Sequence, residues 1–284
     1  MSDIETKIQQ TIDSIKDSLL LTDSKLGTFL VYKNDTTISK AIDLYGEYCQ
    51  AEVNILKEYL PDEFGQYIDI GTNIGYHLVA VHKETGCNAL GFEPNPKHFA
   101  LASYNSKDYS KIQIINAGAS NQKTEFILKD FDPTLKGNYG DIHITAGEGT
   151  TVKMIPLDDV QLNRCHVIKI DVEGHEFEAL QGSVRTISRY RPVVFYEAME
   201  WEVWNKCHQF LSDRKYKQYW VACRTNPIAS TFKPSDENPF QDSTVANILA
   251  VPSEMPQPDY LVEVTPGEGF TTCFERYKKL KILF

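Results

Sequence analysis

Between Tyr67 and Glu197, short apolar runs alternate with longer segments that have helical periodicity. The short runs are rich in isoleucine and valine and predict strands, and the segments between them are long enough for helices. Such alternation predicts a parallel sheet with helices on both faces, wound by right-handed crossovers. The sequence therefore indicates a Rossmann-like α/β fold, in which ligands bind beyond the carboxyl ends of the strands.

The pattern places seven strands and the helices that follow several of them. Helices are predicted up to Thr85, from Pro96 onward, and over 176–187 and 204–213. Glycines in 124–160 predict a β-rich excursion, and the Pro, Ser and Asn content of 226–242 predicts a loop. The predicted strands cover 67–70, 88–93, 111–116, 166–171, 193–197, 218–223 and 245–251.

The first residues predict an amphipathic helix, because Ile4, Ile8, Ile12, Ile15 and Leu19 recur every three or four positions. This helix either docks on the main domain or forms a homodimer contact. We expect an N-terminal helical extension over 1–44, the main α/β domain over 45–251 and a C-terminal extension over 252–284.

Composition narrows the partners and the compartment. The formal net charge is −10, which disfavours a nucleic-acid partner because an acidic chain repels phosphate. The six cysteines are scattered without metal-binding or redox spacing, which is typical of reduced thiols. No signal peptide and no apolar stretch of about 20 residues is present, so a cytoplasmic protein is expected.

A glycine turn follows the first strand of the domain. It reads Asp69-Ile-Gly71-Thr72-Asn73-Ile-Gly75, and its glycines let the backbone approach a bound nucleotide closely. The third glycine of the dinucleotide fingerprint is missing, and the acidic Asp69 disfavours phosphate. This turn favours a positively charged ligand such as an amino group or a sulfonium.

Two further strand ends complete the predicted nucleotide site. Glu93 ends the second strand about 20 residues after the glycine turn, where a carboxylate accepts hydrogen bonds from a ribose diol. Ala119 and Ser120 follow the third strand, and small residues there leave room for an adenine ring. The glycine turn and Glu93 together indicate a nucleotide site far more specifically than either feature does alone.

Ionisable residues are concentrated after the fourth and fifth strands. Asp171 and Glu173 follow the fourth strand, and Glu197 ends the fifth, so three carboxylates are predicted to converge on one crevice. Carboxylates there can orient a hydroxyl, accept its proton or hold a hard cation. His175 is a second candidate base, since its ordinary pKa lies near neutrality, and otherwise a solvent-facing residue at a helix start.

Four other side chains are weaker candidates for contacts with a substrate. Trp201 and Trp204 follow Glu197, and their rings either stack on a sugar or belong to the core. Asn138 and Tyr139 lie in the β-rich excursion and are candidates for contacts with the same substrate.

Three of these segments together resemble the FkbM-type methyltransferases: Tyr67 to His77, Gly91 to Pro96, and Lys169 to Glu176. The last one matches the family's Lys-Ile-Asp-Val-Glu-Gly-x-Glu pattern. The resemblance runs from about 45 to 251. One departure is Thr72, where the family often has alanine.

The resemblance implies a class I methyltransferase fold, with a seven-stranded sheet whose last strand is antiparallel, and S-adenosylmethionine as methyl donor. It implies a hydroxyl acceptor on a sugar, glycan or small natural product. It further implies the site residues: Asp69, Gly71 and Asn73 for the methionine part, Glu93 for the ribose, Ala119 and Ser120 for adenine, and Asp171 and Glu173 for the sulfonium and the acceptor.

The acceptor hydroxyl must lose its proton, and we rank the groups that assist. Glu173 or Glu197 comes first, His175 second, and a divalent metal ion held by Asp171 and Glu197 third. Two alternatives to an O-methyltransferase stay open. One is a nucleotide-dependent oxidoreductase, and the other is a non-catalytic binding module on the same scaffold.

Overall fold

The computed structural model describes residues 3–224, 232–241, 243–265, 267 and 269–280. The helices are α1 Asp3–Ile15, α2 Ile38–Tyr45, α3 Gln50–Lys57, α4 Tyr76–Thr85, α5 Pro96–Ser106, α6 Glu176–Gln181, α7 Val184–Tyr190, α8 Trp201–Ser212 and α9 Phe270–Leu280. The strands are β1 Leu19–Ser24, β2 Gly27–Tyr32, β3 Gln66–Ile70, β4 Asn88–Phe92, β5 Ile112–Ile115, β6 Gly118–Ala119, β7 Thr124–Leu128, β8 Ile144–Thr145, β9 Thr150–Ile155, β10 Val167–Ile170, β11 Val193–Glu197, β12 Tyr216–Arg224, β13 Thr244–Pro252 and β14 Val262–Glu263.

The main sheet has the strand order β14-β12-β13-β11-β10-β3-β4-β5. Strands β5, β4, β3, β10 and β11 run parallel, and β13 pairs antiparallel with both β11 and β12. All seven predicted strands are in this sheet, and the two-residue strand β14 adds an eighth at the β12 edge. The Rossmann-like α/β prediction is therefore confirmed, including the antiparallel last strand.

The central strands are buried on both faces, which explains their isoleucine and valine content. Alternate residues of a strand point to opposite faces. Tyr67 and Val167 accordingly pack into one hydrophobic cluster with α4 and α5, whereas Ile68 and Ile168 pack into a second cluster with α6 and α8. The predicted helix over 176–187 is two helices, because the chain breaks between α6 and α7.

The N-terminal helix α1 is present and packs against α5, with Ile12 buried and Ile4 exposed. The sequence analysis did not predict the hairpin β1–β2 that follows, so the N-terminal extension is not purely helical. Phe29 and Val31 of the hairpin belong to the same cluster as the main sheet. A homodimer contact through α1 stays a prediction, as do the domain limits at 44 and 251.

Residues 118–155, here termed the insert, form a second small sheet with the order β6-β9-β7-β8, as the glycine-rich composition predicted for this region. The predicted loop at 226–242 lies partly outside the described residues, and its part 232–241 contains neither helix nor strand. All six cysteines are buried and none forms a disulfide. Among the described helices, none is long and apolar enough to cross a membrane.

Candidate active site

A cavity of about 520 Å³ opens at the carboxyl ends of β3, β4, β10 and β11. Parallel strands bring their carboxyl ends to one edge of a sheet, so side chains distant in sequence share this space. The insert lines the cavity with Leu128, Ile142 and Met154, and Tyr48, just before α3, and Glu52 of α3 line it as well. The cavity is thus where the sequence analysis predicted the ligand.

The glycine loop, residues 71–75, starts with a glycine that no other residue replaces easily. Gly71 has φ +90°, and a Cβ there would lie 1.8 Å from the carbonyl oxygen of Asp171. The backbone N–H groups of Gly71 and Thr72 both donate to the carbonyl of Phe92. The loop is therefore pressed against the turn that follows β10.

Thr72 fits where the family often has alanine, because a second glycine makes room for it. Its Oγ1 donates to the carbonyl of Asp69 at 2.9 Å. A Cβ on Gly91 of the neighbouring strand would lie 2.5 Å from that same Oγ1. Thr72 and Gly91 therefore form a matched pair, and the departure leaves the loop intact.

Glu93 is buried at the cavity wall and holds two segments together. Its Oε2 accepts a hydrogen bond from the N–H of Asn73 at 2.8 Å, and its Oε1 accepts one from the N–H of Asn95 at 2.8 Å. Burial raises the pKa of Glu93 to about 8, although both N–H groups act in the opposite direction. Each oxygen keeps a further lone pair that a ligand hydroxyl can use.

Asp69, which was predicted to hold the methionine part of the cofactor, is not among the residues that line the cavity. It is 1% exposed, and neither carboxylate oxygen has a hydrogen-bond partner among the described residues. Burial raises its pKa to about 6, and the ammonium of Lys169, its cross-strand neighbour, opposes that rise. The predicted contact of Asp69 with the methionine part of a cofactor stays a prediction.

Lys169 is a buried ammonium group in the cavity lining, with 2% exposure. Its Nζ lies 2.7 Å from Oδ2 of Asp171. Burial disfavours the charged amine, but Asp171, Asp69 and Glu52 outweigh that effect and raise the pKa of Lys169. The sequence analysis did not single out Lys169. The feature that could have indicated it is a charged residue within an otherwise apolar strand.

Asp171, Glu173 and Glu197 converge as predicted, and we call them the acid cluster. Each offers one carboxylate oxygen, and these oxygens lie within 4.8 Å of one another. Burial and the neighbouring carboxylate of Asp171 raise the pKa of Glu173 to about 8 and that of Glu197 to about 10. Such a cluster can hold a proton, accept one from a hydroxyl, or bind a hard cation.

His175 lines the cavity, but both of its ring nitrogens face protein groups. Nε2 lies 3.0 Å from Oγ of Ser120, and Nδ1 lies 3.6 Å from the Glu178 carboxylate. Burial lowers the pKa of His175, and Glu178 acts in the opposite direction. The carboxylates of the acid cluster are therefore better placed than His175 to receive a proton from a ligand.

The remaining predicted cofactor residues divide between the lining and the layer behind it. Thr72, Asn73 and Ala119 line the cavity, whereas Gly75 and Ser120 do not. Gly75 has φ +90° and begins α4, where its missing side chain allows close packing on Ala102. Their roles toward a cofactor stay predictions.

The weaker acceptor candidates fall into different environments. Trp204 is 2% exposed and packs edge-on against Trp220, so it belongs to the core, whereas Trp201 is 47% exposed. Asn138 lines the cavity. Tyr139 is buried against Phe131, and its hydroxyl donates to the backbone of the insert.

Glu52 is a site residue that sequence reasoning missed. It comes from α3 and lines the cavity with 4% exposure. Its Oε1 accepts from Nδ2 of Asn247 at 3.1 Å, and its Oε2 lies 3.4 Å from Nε2 of His77. Burial raises the pKa of Glu52 to about 7. Nothing local in the sequence marks this glutamate, because the contacts that place it come from α4 and β13.

The strand order, the glycine loop and the acidic strand ends define a class I methyltransferase fold and its ligand site. The sequence profile of the Methyltransferase FkbM domain matches residues 69–218, which is more than half of the chain. The chain therefore belongs to the FkbM methyltransferase family, as the resemblance of its motifs predicted.

Proteins similar to this chain include a curated methyltransferase and several solved methyltransferase structures. Hexuronic acid methyltransferase AglP of Haloferax volcanii is 29% identical over 157 residues, which cover 54% of this chain and 62% of that protein. The methyltransferase FkbM structure from Methylobacillus flagellatus KT has 15% identity and a TM-score of 0.46, covering 70% of this chain and 50% of that one. The precorrin-6y C5,15-methyltransferase structure from Geobacter metallireducens GS-15 has 17% identity and a TM-score of 0.48, covering 79% and 94%.

Proposed function

We propose that this protein is an S-adenosylmethionine-dependent O-methyltransferase that acts on a hydroxyl of a sugar, a glycan or a small natural product. The observation that carries the proposal is the shared cavity. The glycine loop and Glu93 line it together with the acid cluster. A donor-binding wall and a proton-accepting wall thus face one space, which suits methyl transfer to oxygen.

The residues present fit the cofactor. Gly71 lets the loop backbone approach a ligand, and Glu93 has lone pairs left for ribose hydroxyls. Gly118, Ala119 and Met154 line the cavity with small and apolar groups, which suits an adenine ring. The buried carboxylate of Asp69 favours a cationic ligand above it. When bound, the cofactor supplies an electrophilic methyl group.

The acid cluster supplies the proton acceptor for the hydroxyl. Asp171 is already paired with the ammonium of Lys169, so Glu173 and Glu197 are the members left to contact an acceptor. Two carboxylates this close share protons, since ionising both is unfavourable. We assign the acceptor proton to the ionised form of Glu173, which has the lower pKa of the two, while Glu197 keeps its own proton. Alignment of the acceptor oxygen by the same side chains would provide much of the rate enhancement.

The acceptor class rests on the family and on one relative. The name of the Haloferax volcanii protein gives a hexuronic acid as its substrate. We extend this to a sugar acceptor for the present chain. An oxygen nucleophile is consistent with an acid cluster that takes up the proton released by a hydroxyl.

Calorimetric titration with S-adenosylhomocysteine tests the cofactor assignment directly. Wild-type protein is expected to bind, and Glu93→Ala is expected to lose at least about tenfold in affinity, since a buried hydrogen-bonding group is removed together with its two backbone contacts. Glu125→Ala, at an exposed position of β7, serves as the matched control and should bind like wild type.

Three results would contradict the proposal in different ways. No binding of S-adenosylhomocysteine to wild type would refute the cofactor. Binding of a nicotinamide dinucleotide in its place would favour an oxidoreductase. Cofactor binding without transfer of an isotopically labelled methyl group to any compound in a panel of hexoses, hexuronic acids and their glycosides would favour a non-catalytic module.

A further inference from the structure

Glu52 of α3 is a buried carboxyl group with one oxygen left for a ligand. Its Oε1 accepts a hydrogen bond from Nδ2 of Asn247 at 3.1 Å. Its Oε2 lies 3.4 Å from Nε2 of His77 but accepts no hydrogen bond among the described residues. The side chain lines the cavity, and Oε2 is not one of the unpartnered atoms that the protein encloses completely. Oε2 therefore faces the cavity as an acceptor of hydrogen bonds.

Asn247 connects Glu52 to the acid cluster. It belongs to β13 and is the cross-strand neighbour of Glu197 on β11. Directly opposed side chains of two antiparallel strands lie on the same face of the sheet, with Cβ atoms about 5 Å apart. Burial raises the pKa of Glu52, and of the nearby charges Lys169 opposes the rise while Asp171 adds to it. Glu52 therefore borders the part of the cavity where, under the proposed function, the acceptor hydroxyl gives up its proton.

The charges in the cavity lining are mostly negative. The carboxyl groups in the described lining belong to Glu52, Glu93, Asp171, Glu173 and Glu197. Lys169 is the only lysine or arginine in that part of the lining, and its Nζ is already 2.7 Å from Oδ2 of Asp171. Burial lowers the pKa of His77 and of His98 to about 3, so both imidazoles are neutral. A carboxylate on the acceptor would therefore lie among acids, whereas hydroxyl and amino groups would find acceptors for their protons.

Aromatic rings in the same lining suit the apolar face of a sugar ring. Tyr48 and Phe240 both line the cavity, and both are partly exposed. Tyr48 packs edge-on against His77, with ring centroids 5.7 Å apart, and His77 in turn lies against Glu52. An apolar ring face next to a carboxylate matches a sugar, which has an apolar face and hydroxyl groups at its edge.

We propose that Glu52 determines the specificity of the acceptor site. Its Oε2 accepts a hydrogen bond from a hydroxyl or amino group of the acceptor and repels a carboxylate. The acceptor is accordingly a sugar without an acidic group, and hexuronic acids are excluded. The inference rests on the proposed function, because it requires methyl transfer to a sugar hydroxyl.

Transfer of a labelled methyl group to matched pairs of acceptors tests this proposal. Each pair is the methyl glycoside of a hexuronic acid and its uronamide, in the gluco, galacto and manno series, so that charge is the main difference. At pH 8 most of Glu52 is ionised, since burial raises its pKa to about 7. Wild type should show kcat/KM at least about tenfold higher for an amide than for its acid, because like charges repel. Glu52→Gln should lower this ratio at least about fivefold. The glutamine oxygen can still accept from Asn247, and its NH₂ group can face the neutral His77, so the variant should fold.

Glu58→Gln is the matched control. Glu58 directly follows α3, lies outside the cavity lining, and accepts a hydrogen bond from the Tyr260 hydroxyl at 2.7 Å. This variant should keep the wild-type ratio, and both variants should bind S-adenosylhomocysteine like wild type.

Several outcomes would overturn the inference. One is a kcat/KM of wild type for the acids that equals or exceeds that for the amides, and another is an unchanged ratio in Glu52→Gln. Weaker binding of S-adenosylhomocysteine by Glu52→Gln with an unchanged ratio would place Glu52 in the cofactor site instead. Cofactor binding without transfer to any acid or amide would refute a sugar acceptor and this inference with it. Failure of wild type to bind S-adenosylhomocysteine would refute the proposed function itself.

Discussion

The two acidic walls of the cavity use the same side-chain chemistry in opposite ways. One wall contains the glycine loop and Glu93, and we call it the donor-binding wall. Both oxygens of Glu93 accept hydrogen bonds from backbone N–H groups, so these N–H groups fix the carboxyl group. At the acid cluster, Glu173 and Glu197 face the carboxylate of Asp171 instead, and the ammonium of Lys169 is paired with Asp171. Burial raises the pKa of glutamates at both walls.

Under the proposed function, this difference separates binding of the cofactor from transfer of a proton. A carboxyl group locked by two N–H donors has a defined orientation, which suits binding of a diol. Carboxyl groups that repel one another hold a proton that moves readily between them, which suits uptake of a proton from an acceptor. Substitutions at the two walls should therefore change the free energy of unfolding by amounts that differ in sign as well as in size.

The largest effect is expected from Lys169→Met, which removes a buried cation beside the buried acids Asp69 and Glu52 and the partly exposed Asp171. Asp171, Asp69 and Glu52 would then lie together without it. Breaking a buried ion pair by removing one partner costs about 3–5 kcal/mol, and we expect a loss of this size in the free energy of unfolding. Urea denaturation measures it.

Lys123→Met is the control for that substitution. Lys123 forms an ion pair with Asp159 at 3.1 Å, and its side chain is 72% exposed. An exposed pair of this kind contributes at most about 1 kcal/mol. Similar losses for the two variants would show that the Lys169 ammonium does not organise the acid cluster.

A smaller loss in the free energy of unfolding is expected from Glu93→Gln at the donor-binding wall. The amide presents one oxygen and one NH₂ group to two backbone N–H donors, so one donor faces another donor. An unsatisfied buried group costs about 1–3 kcal/mol, and the free energy of unfolding should fall accordingly. A variant as stable as wild type would mean that the two N–H bonds do not fix this wall.

The smallest effect, and one of opposite sign, is expected from Glu197→Gln. The raised pKa means that folded Glu197 keeps its proton while the unfolded chain has lost it, so its contribution to stability decreases as the pH rises from about 4.5 toward about 10. The amide does not titrate. We therefore expect Glu197→Gln to gain about 1 kcal/mol over wild type between mildly acidic and alkaline pH. A stability difference that does not change with pH would contradict this.

The sequence was sufficient to predict the sheet and its acidic edge. Apolar strands that end at Glu93 and Glu197 indicated one edge for the ligand, because parallel strands align their carboxyl ends, whereas Asp69, predicted for the same edge, is not in the cavity lining. The convergence of Asp171 with Glu173 and Glu197 followed from the same rule. These features are local in sequence, and the sheet geometry then does the rest.

Other parts of the site depend on long-range contacts that the sequence does not display. Glu52 is placed by Asn247, 195 residues away, and His98 by Phe131 and Tyr32. The hairpin β1–β2 was missed because its turn, Lys25-Leu26, lacks the Asn-Gly type of signal. Tertiary packing, not local propensity, decides these positions.

The origin of the cavity walls has an evolutionary consequence. The glycine loop, Glu93 and the acid cluster all fall within 69–218, the segment that matches the family. Tyr48, Glu52, Phe240 and Val245 line the same cavity from outside that segment. Substitutions in the flanking residues can therefore re-shape the cavity without changing the segment that matches the family. A lineage can thereby acquire a new acceptor without rebuilding its methyl-transfer machinery.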